Sequence, residues 1–410
     1  MVLFLVLAFS IAFEATHAHD SGSHTRTNHA ANQTIQQQGI PRFAVDLYKN
    51  MAKYPSSPSN LAISPFSAET ALTLAFQGAN GTTKTELSTV LGLASSKISE
   101  FVWKVSSVNS GVSPATYSLE TANGLFFDHS FALDHAYRNE MARIFDVQVE
   151  LLDFQRNAEE SRLQINAFVA NKTRQKIGEL FAAGSIGQDS SLVLVNALYF
   201  KAQWETPFDK DETNLQPFEL LSGQRTAVPL MFTEATVPYG VIPELKNAEV
   251  IELMYKGGAV SMIVILPAKK SSLHDLEDSL TTDKMNAASK RMMKQEVLVF
   301  LPKFKVSGGT DLVPALKDMG VTRAFSSDAD FSRINQNKGL QITQVFQEVV
   351  LDVDEMGTEG AAATGVQVSL QNARPHSRPV FRATRPFLYF IRHNQSNIIL
   401  FFGHVTDPSV

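Results

Sequence analysis

The chain has 410 residues, 36 basic and 41 acidic side chains, a formal net charge of −5, and 44% apolar against 19% charged residues. Such a composition can bury a large core and excludes wholesale disorder, while length alone allows two or three domains at about 150 residues each. Cysteine is absent, which excludes disulfides, thiolate metal sites, iron–sulfur clusters and cysteine nucleophiles, and the mild acidity offers nucleic acid no basic surface.

The chain opens on Val2–Phe13, almost wholly apolar. That run is too short to span a bilayer, which takes about 20 residues, and suits the core of a secretory signal ending at Ala18. Residues 19–39 are polar and read as a flexible tail; the irregular spacing of His17, His19, His24 and His29 gives no metal site. The sequons at Asn32, Asn80, Asn171 and Asn394 are candidate glycan sites in a secreted chain.

In the body, Phe43, Leu47 and Met51 recur at helical spacing within 40–54. Asn60–Ile63 reads as a short buried strand, after which Ser64 can cap a helix with Pro65 in its first turn, ending near Gly78. Helices are expected over 83–93, 96–109 and 135–145, strands over 117–128 and 147–154, and a long helical stretch over 159–181. Leu192–Phe200 is a buried strand interrupted by Asn196. Several strands follow over 228–267, a helix over 273–294, a strand over 296–304 and a short helix over 312–319 closed by Gly320. A strand over 344–353 and a hairpin of 387–391 with 398–404 complete the pattern. Strands and helices interleave without strict βαβ alternation, which favours a mixed α+β fold. No nucleophile elbow, zincin, P-loop or dinucleotide fingerprint occurs, and no cofactor or metal is implied.

The unusual segment is Gly357–Ala373, uncharged from Gly360 onward. Taken with period two, Thr358, Gly360, Ala362, Thr364, Val366, Val368 and Leu370 share one face without an ionised group. Its Gly- and Ala-rich first half has weak strand propensity. A segment able to become a strand but not committed to it is a candidate for a loop that inserts.

The stretch Asp354-Glu355-Met356-Gly357-Thr358-Glu359-Gly360-Ala361-Ala362-Ala363-Thr364 closely resembles the hinge of the serpins, the serine protease inhibitor superfamily. The resemblance extends over residues 40–410, through Asn60–Ser67, Leu194–Lys201 with Trp204 and Phe208, Leu301–Phe304 with Leu312, Leu316, Gly320 and Phe325, and Arg385–Phe387 with Phe402–Val405 and Pro408. It is similar to inhibitory, invertebrate-like secreted members. The resemblance implies one domain of about nine helices and three sheets, with an exposed reactive-centre loop over about 356–382. A protease attacks the loop as substrate, and the cleaved loop inserts into the largest sheet before the acyl-enzyme is hydrolysed. Thirteen residues from Thr358 to Leu370 would extend about 43 Å at about 3.3 Å each. Gly360 departs from the usual alanine and costs more backbone entropy on ordering.

The resemblance also places Ser64, Ser67 and Asn196 at the shutter, where the sheet parts, Trp204 at the breach, and Gln347 where most inhibitory members carry histidine. An amide at 347 could still hydrogen-bond Asn196. Counting from the hinge puts the reactive bond at Gln371–Asn372, with Leu370 and Arg374 as alternatives; Arg374, His376, Arg378, Arg382 and Arg385 form a basic segment that could steer an acidic protease surface. The helix region 96–109 holds only Lys97 and Lys104, which gives no strong heparin site. The expected protein is therefore a monomeric inhibitor rather than an enzyme, with a non-inhibitory carrier or storage scaffold as the competing reading.

Overall fold

The computed structural model describes residues 39–54, 60–112, 117–145, 147–335, 339–358 and 378–410, and within them nine α-helices and fifteen strands. The leader, the tail and the loop positions from Glu359 to Ser377 lie outside the described residues.

Helix α1 (Arg42–Met51) buries Phe43, Leu47 and Met51. Strand β1 (Asn60–Ile63) leads into α2 (Pro65–Gly78), where Ser64 Oγ accepts the Ser67 amide and Pro65 takes the first turn, as capping chemistry requires. Helices α3 (Gly81–Leu91) and α4 (Ile98–Gly111), strand β2 (Tyr117–Asp128), helix α5 (His135–Phe145) and strand β3 (Gln148–Leu152) follow. Asp128, His129 and Asp153 bring three donor atoms within 4.8 Å. Asp128 already spends both oxygens on the amides of Ser130, Phe154 and Gln155 and the Ser130 hydroxyl, which anchors the start of the next helix.

That helix corrects an expectation. Instead of running over 159–181, α6 spans Phe154–Lys172. Arg174 and Gln175 adopt left-handed backbone, and the Thr173 hydroxyl donates to Val169 O while accepting the Ile177 amide. Ile177, Leu180 and Phe181 mimic helical spacing but belong to a loop folded back onto α6. The helix expected over 273–294 is likewise two, α7 (Leu273–Ser279) and α8 (Thr282–Arg291), because the Thr281 hydroxyl caps the second through the Lys284 amide.

The remaining strands are β4 (Leu192–Gln203), β5 (Asp209–Glu219), β6 (Arg225–Ile242), β7 (Ala248–Met254), β8 (Val260–Leu266), β9 (Met293–Pro302), β10 (Phe304–Asp311), β11 (Ile342–Val353), β12 (Gly357–Thr358), β13 (Val380–Arg382), β14 (Phe387–His393) and β15 (Ile398–Val405), with helix α9 at Val313–Asp318. Nine strands join in the order β1–β15–β14–β8–β7–β6–β9–β13, with β5 on β6. Two of the three sheets implied by the resemblance are continuous here through β6, which serves β5 and β9 along most of its length and β7 at Tyr239–Ile242. Close packing shows at Gly403, where a Cβ would lie 1.9 Å from Leu61 O.

The second sheet has the order β10–β11–β12–β4–β2–β3. Its central strand β4 is buried on both faces. Leu194, Leu198 and Phe200 enter the main core shared with the other sheet, while Val193, Val195 and Ala197 enter a smaller core under α6. That two-sided burial explains the continuous apolar run at 192–200. Among the described residues no helix is long and apolar enough to cross a membrane.

Candidate functional site

The site is the seam between β4 and β11. From Ile342 opposite Leu192 to Val350 opposite Tyr199 the two strands pair directly and in parallel. Above that the seam is occupied. Gly357 and Thr358 pair antiparallel with Gln203 and Ala202 of β4, and Thr358 also pairs with Val353 of β11. Thr358, where insertion is expected to begin, is thus already a sheet residue, fully buried, with its Oγ1 2.7 Å from the Tyr255 hydroxyl. Only glycine fits at 357, since a Cβ there would meet Ala202 O at 2.0 Å.

A tight turn sets this geometry. Asp354 Oδ1 accepts the amides of Met356 and Gly357, and the Asp354 amide donates to Gly357 O. Trp204 holds the turn from the side: its Nε1 donates to Asp354 O at 3.0 Å and its amide to Met356 O at 2.9 Å. Its indole stacks on Tyr255 with ring centroids 4.4 Å apart and planes 11° apart. Glu355 points the other way, with Lys303 Nζ at 3.0 Å and the Thr213 hydroxyl at 2.9 Å. Burial pushes its pKa upward, but the Lys303 bond, a backbone amide and Thr213 outweigh it and hold the carboxyl below its ordinary value.

The middle of the seam is polar. Gln347, Asn196 and Asn123 lie in one row across β11, β4 and β2. The resemblance offered a bond between Gln347 and Asn196, and the structure corrects it. Gln347 instead grips the backbone of Ser64, accepting its amide at 2.6 Å and donating to its carbonyl at 3.0 Å. Asn196 donates to Asn123 Oδ1 at 3.2 Å, and the Ser67 hydroxyl donates to the same oxygen at 2.7 Å. The start of α2 is therefore tied to both sides of the seam, through Ser64 to β11 and through Ser67 and Asn123 to β2.

Sequence reasoning missed Asn123, Thr213 and Tyr255. Asn123 left little signal, because Ser118, Glu120 and Thr121 already interrupt the apolar residues of its strand, unlike the run around Asn196. Thr213 and Tyr255 left none, because their roles depend on chains distant in sequence.

Three residues of the basic segment have local partners. Arg378 is pinned by Glu234 at 2.6 Å and Glu296 at 3.2 Å, Arg382 stacks on Phe300 with its guanidinium 3.5 Å from the ring centre, and Arg385 donates to Pro267 O at 3.0 Å. Arg378 and Arg385 are thus engaged at the base of the loop, Arg382 stays exposed, and Arg374 and His376 lie outside the described residues. Lys104 of α4 pairs with Glu100 at 3.1 Å. Of the sequons, Asn171 is exposed, whereas Asn80 donates to Ser332 Oγ and Asn394 to Gly258 O; Asn32 lies outside the described residues. The hinge positions Glu359, Gly360, Ala361, Ala362, Ala363 and Thr364 and the reactive-bond positions Leu370, Gln371, Asn372 and Arg374 lie outside them too.

The comparisons agree with this architecture. The family model described as Serpin (serine protease inhibitor) matches residues 38–408. The leukocyte elastase inhibitor of Bos taurus is 36% identical over 375 residues, covering 90% of this chain and 98% of its own. Among solved structures, Serpin48, a highly specific serpin of the insect Tenebrio molitor, superposes with a TM-score of 0.78 at 30% identity over 93% of this chain and 98% of that one. Human thyroxine-binding globulin complexed with its hormone gives 0.80 at 27% identity over 92% and 98%. The chain belongs to the serpin family and has the serpin fold, a scaffold whose members include inhibitors of proteases.

Proposed function

We propose that this protein is a secreted suicide inhibitor of serine proteases that traps the acyl-enzyme by inserting its cleaved loop between β4 and β11. The observation that carries the reading is the two-residue strand β12, which already parts the top of that seam and buries Thr358 there. A seam that accepts Gly357 and Thr358 has the pairing groups to accept the residues beyond them, which are uncharged from Gly360 onward.

The chemistry before insertion is the protease's own. Its nucleophilic oxygen adds to the carbonyl carbon of Gln371; the bond to Asn372 breaks, and the departing amine takes a proton from the protease's general base. An ester to Gln371 remains. Insertion of the freed strand then competes with hydrolysis of that ester. Leu370 and Arg374 are the alternative attachment points. Residues 40–410 form the inhibitory domain in this reading, acting as a monomer, and Val2–Ala18 directs export.

The carrier reading ranks second. A cavity of about 200 Å³ lies beside Trp204, lined by Phe208, Val237, Pro238, Leu253 and Lys294 among others. It falls below the usual range of about 300–1,000 Å³ for small-molecule sites.

Incubation with trypsin, chymotrypsin and elastase, read by denaturing gels and mass spectrometry, tests the proposal. The expected result is a denaturant-resistant adduct with at least one protease and a released peptide beginning at Asn372. Cleavage within the loop without any adduct would reject inhibition in favour of the carrier reading.

A further inference from the structure

A second cavity, of about 450 Å³, lies at the lower end of the seam, where the loop after α6 meets helix α9 and the first residues of β11. Unlike the one beside Trp204, it falls within the usual range of about 300–1,000 Å³ for small-molecule sites.

Gln344 lines it and carries a buried side-chain oxygen without a hydrogen-bond partner. The same amide donates from Nε2 to Ser185 O at 2.8 Å. Only the nitrogen of an amide can donate to a carbonyl, so that bond fixes the orientation and leaves an acceptor unsatisfied. Buried polar atoms are nearly always paired, so this oxygen calls for a donor from outside the chain.

Neighbouring hydroxyls are already spent. That of Thr343 donates to Leu192 O and accepts the Ser191 amide, and that of Ser185 donates to Ala182 O. The two charged side chains of the cavity are not. Lys317 of α9 is exposed, 5.9 Å from the Phe325 ring centre, and forms no ion pair among the described residues. Asp311, whose charge it feels, accepts the Val313 amide instead. Asp189 of the loop is exposed and also without an ion-pair partner among them. Its carboxylate lies over Gly187, where a Cβ would meet Oδ1 at 2.5 Å.

These groups make three demands on an occupant. Gln344 Oε1 and Asp189 accept a donor or a cation and disfavour an anion, whereas Lys317 asks for an anion. An amine alone leaves Lys317 unmatched, and a carboxylate alone meets Asp189. A molecule with both charges satisfies all three through charge-assisted hydrogen bonds. Val313, Phe325 and Ile342 add apolar surface for the rest of it.

We propose that this cavity binds a small zwitterion of the amino-acid class, its ammonium between Gln344 and Asp189 and its carboxylate on Lys317. The site goes beyond protease inhibition and does not depend on loop insertion. Because it is assembled from the loop, α9 and β11, its ligand binds the folded chain alone and raises the melting temperature by mass action.

The test is melting of the full chain with each of the common L-amino acids, and with n-butylamine and butyrate as probes of one charge only. At about 100 times its Kd at least one amino acid should raise the melting temperature by about 3 °C, and neither single-charge probe should match it at the same concentration. Lys317→Gln and Asp189→Asn change exposed side chains, so ligand-free melting stays the same, while each weakens the best amino acid about 10-fold in calorimetric titration. The wild type should prefer that amino acid to its carboxamide, and Lys317→Gln should bind the two equally. No shift with any amino acid, a shift matched by a single-charge probe, or an affinity untouched by both substitutions would overturn the site.

Discussion

The top and the middle of the β4–β11 seam are built from the same two strands and behave oppositely. At the top the strands are separated, and β12 fills the gap with a glycine and a small hydroxyl side chain, backed by Tyr255 and Trp204. In the middle they pair directly, and Gln347 ties one of them to the start of α2. The difference lies in which partners the strands are given. At the top the neighbouring turn supplies backbone to complete the ladder. In the middle the only available partner is the opposite strand, and the amide clamp holds it in place. Loop insertion, in this account, extends the upper arrangement downward through the clamp.

Changes at either end should therefore have separable consequences. The largest effect is expected from Thr358→Arg. An unpaired guanidinium cannot be buried beside Tyr255 without a cost of several kcal/mol. The hinge should leave the sheet, and the yield of covalent complex should fall by about 10-fold or more while cleavage continues; an undiminished yield would show that the docked top is irrelevant to trapping.

Next comes Gln347→Leu, which strips the buried Ser64 amide of its partner and leaves the Ser64 carbonyl with the Ala68 amide alone. It should lower stability by about 2–3 kcal/mol in urea unfolding. A neutral result would mean that the clamp does not hold the middle of the seam shut.

Tyr255→Phe removes one hydroxyl contact at the top and leaves the Trp204 stack in place. A loss of about 1 kcal/mol is expected. In combination with Thr358→Val the loss should be no larger than for either change alone, which a double-mutant cycle checks.

The smallest effect is on pH dependence. Burial raises the Glu348 carboxyl on β11 to about 7, and Glu69 also rises to about 7 through burial, against the opposing charge of Lys104. Such groups bind protons more readily in the folded chain, so their contribution to stability is complete below the ordinary pKa near 4.5 and is lost as pH rises toward 7. His393, held down to about 4 by burial, acts in the opposite sense, its contribution being lost as pH falls from 6.5 to 4. The informative quantity is thus the difference between wild type and Glu348→Gln. The wild type should lose melting temperature relative to the variant between pH 4.5 and 7; parallel curves would remove Glu348 from the account.

Much of this architecture was legible in the sequence where local chemistry decides it. The cap at Ser64, the two-sided burial of 192–200 and the terminal hairpin each follow from residue pattern alone. Asn196 announced itself as a polar residue in an apolar strand, and the hinge composition singled out the segment proposed to insert. Illegible were the features set by long-range packing. The polar edge strands β5 and β10 lack an apolar stripe, and the loop after α6 buries apolar residues at a spacing that imitates a helix. The partners of Gln347 and Thr358 are backbone or hydroxyl groups 283 and 103 residues away in the chain, beyond the reach of any local pattern.

The central claim is that the seam opens along its whole length and takes up the loop. Hydrogen–deuterium exchange of residues 192–203 and 342–353, measured before and after a single cut in the loop, tests it most directly. Both strands should become markedly more protected after the cut, because each gains a new antiparallel partner in place of the other. Unchanged or weakened protection of those two strands after the cut would contradict the account.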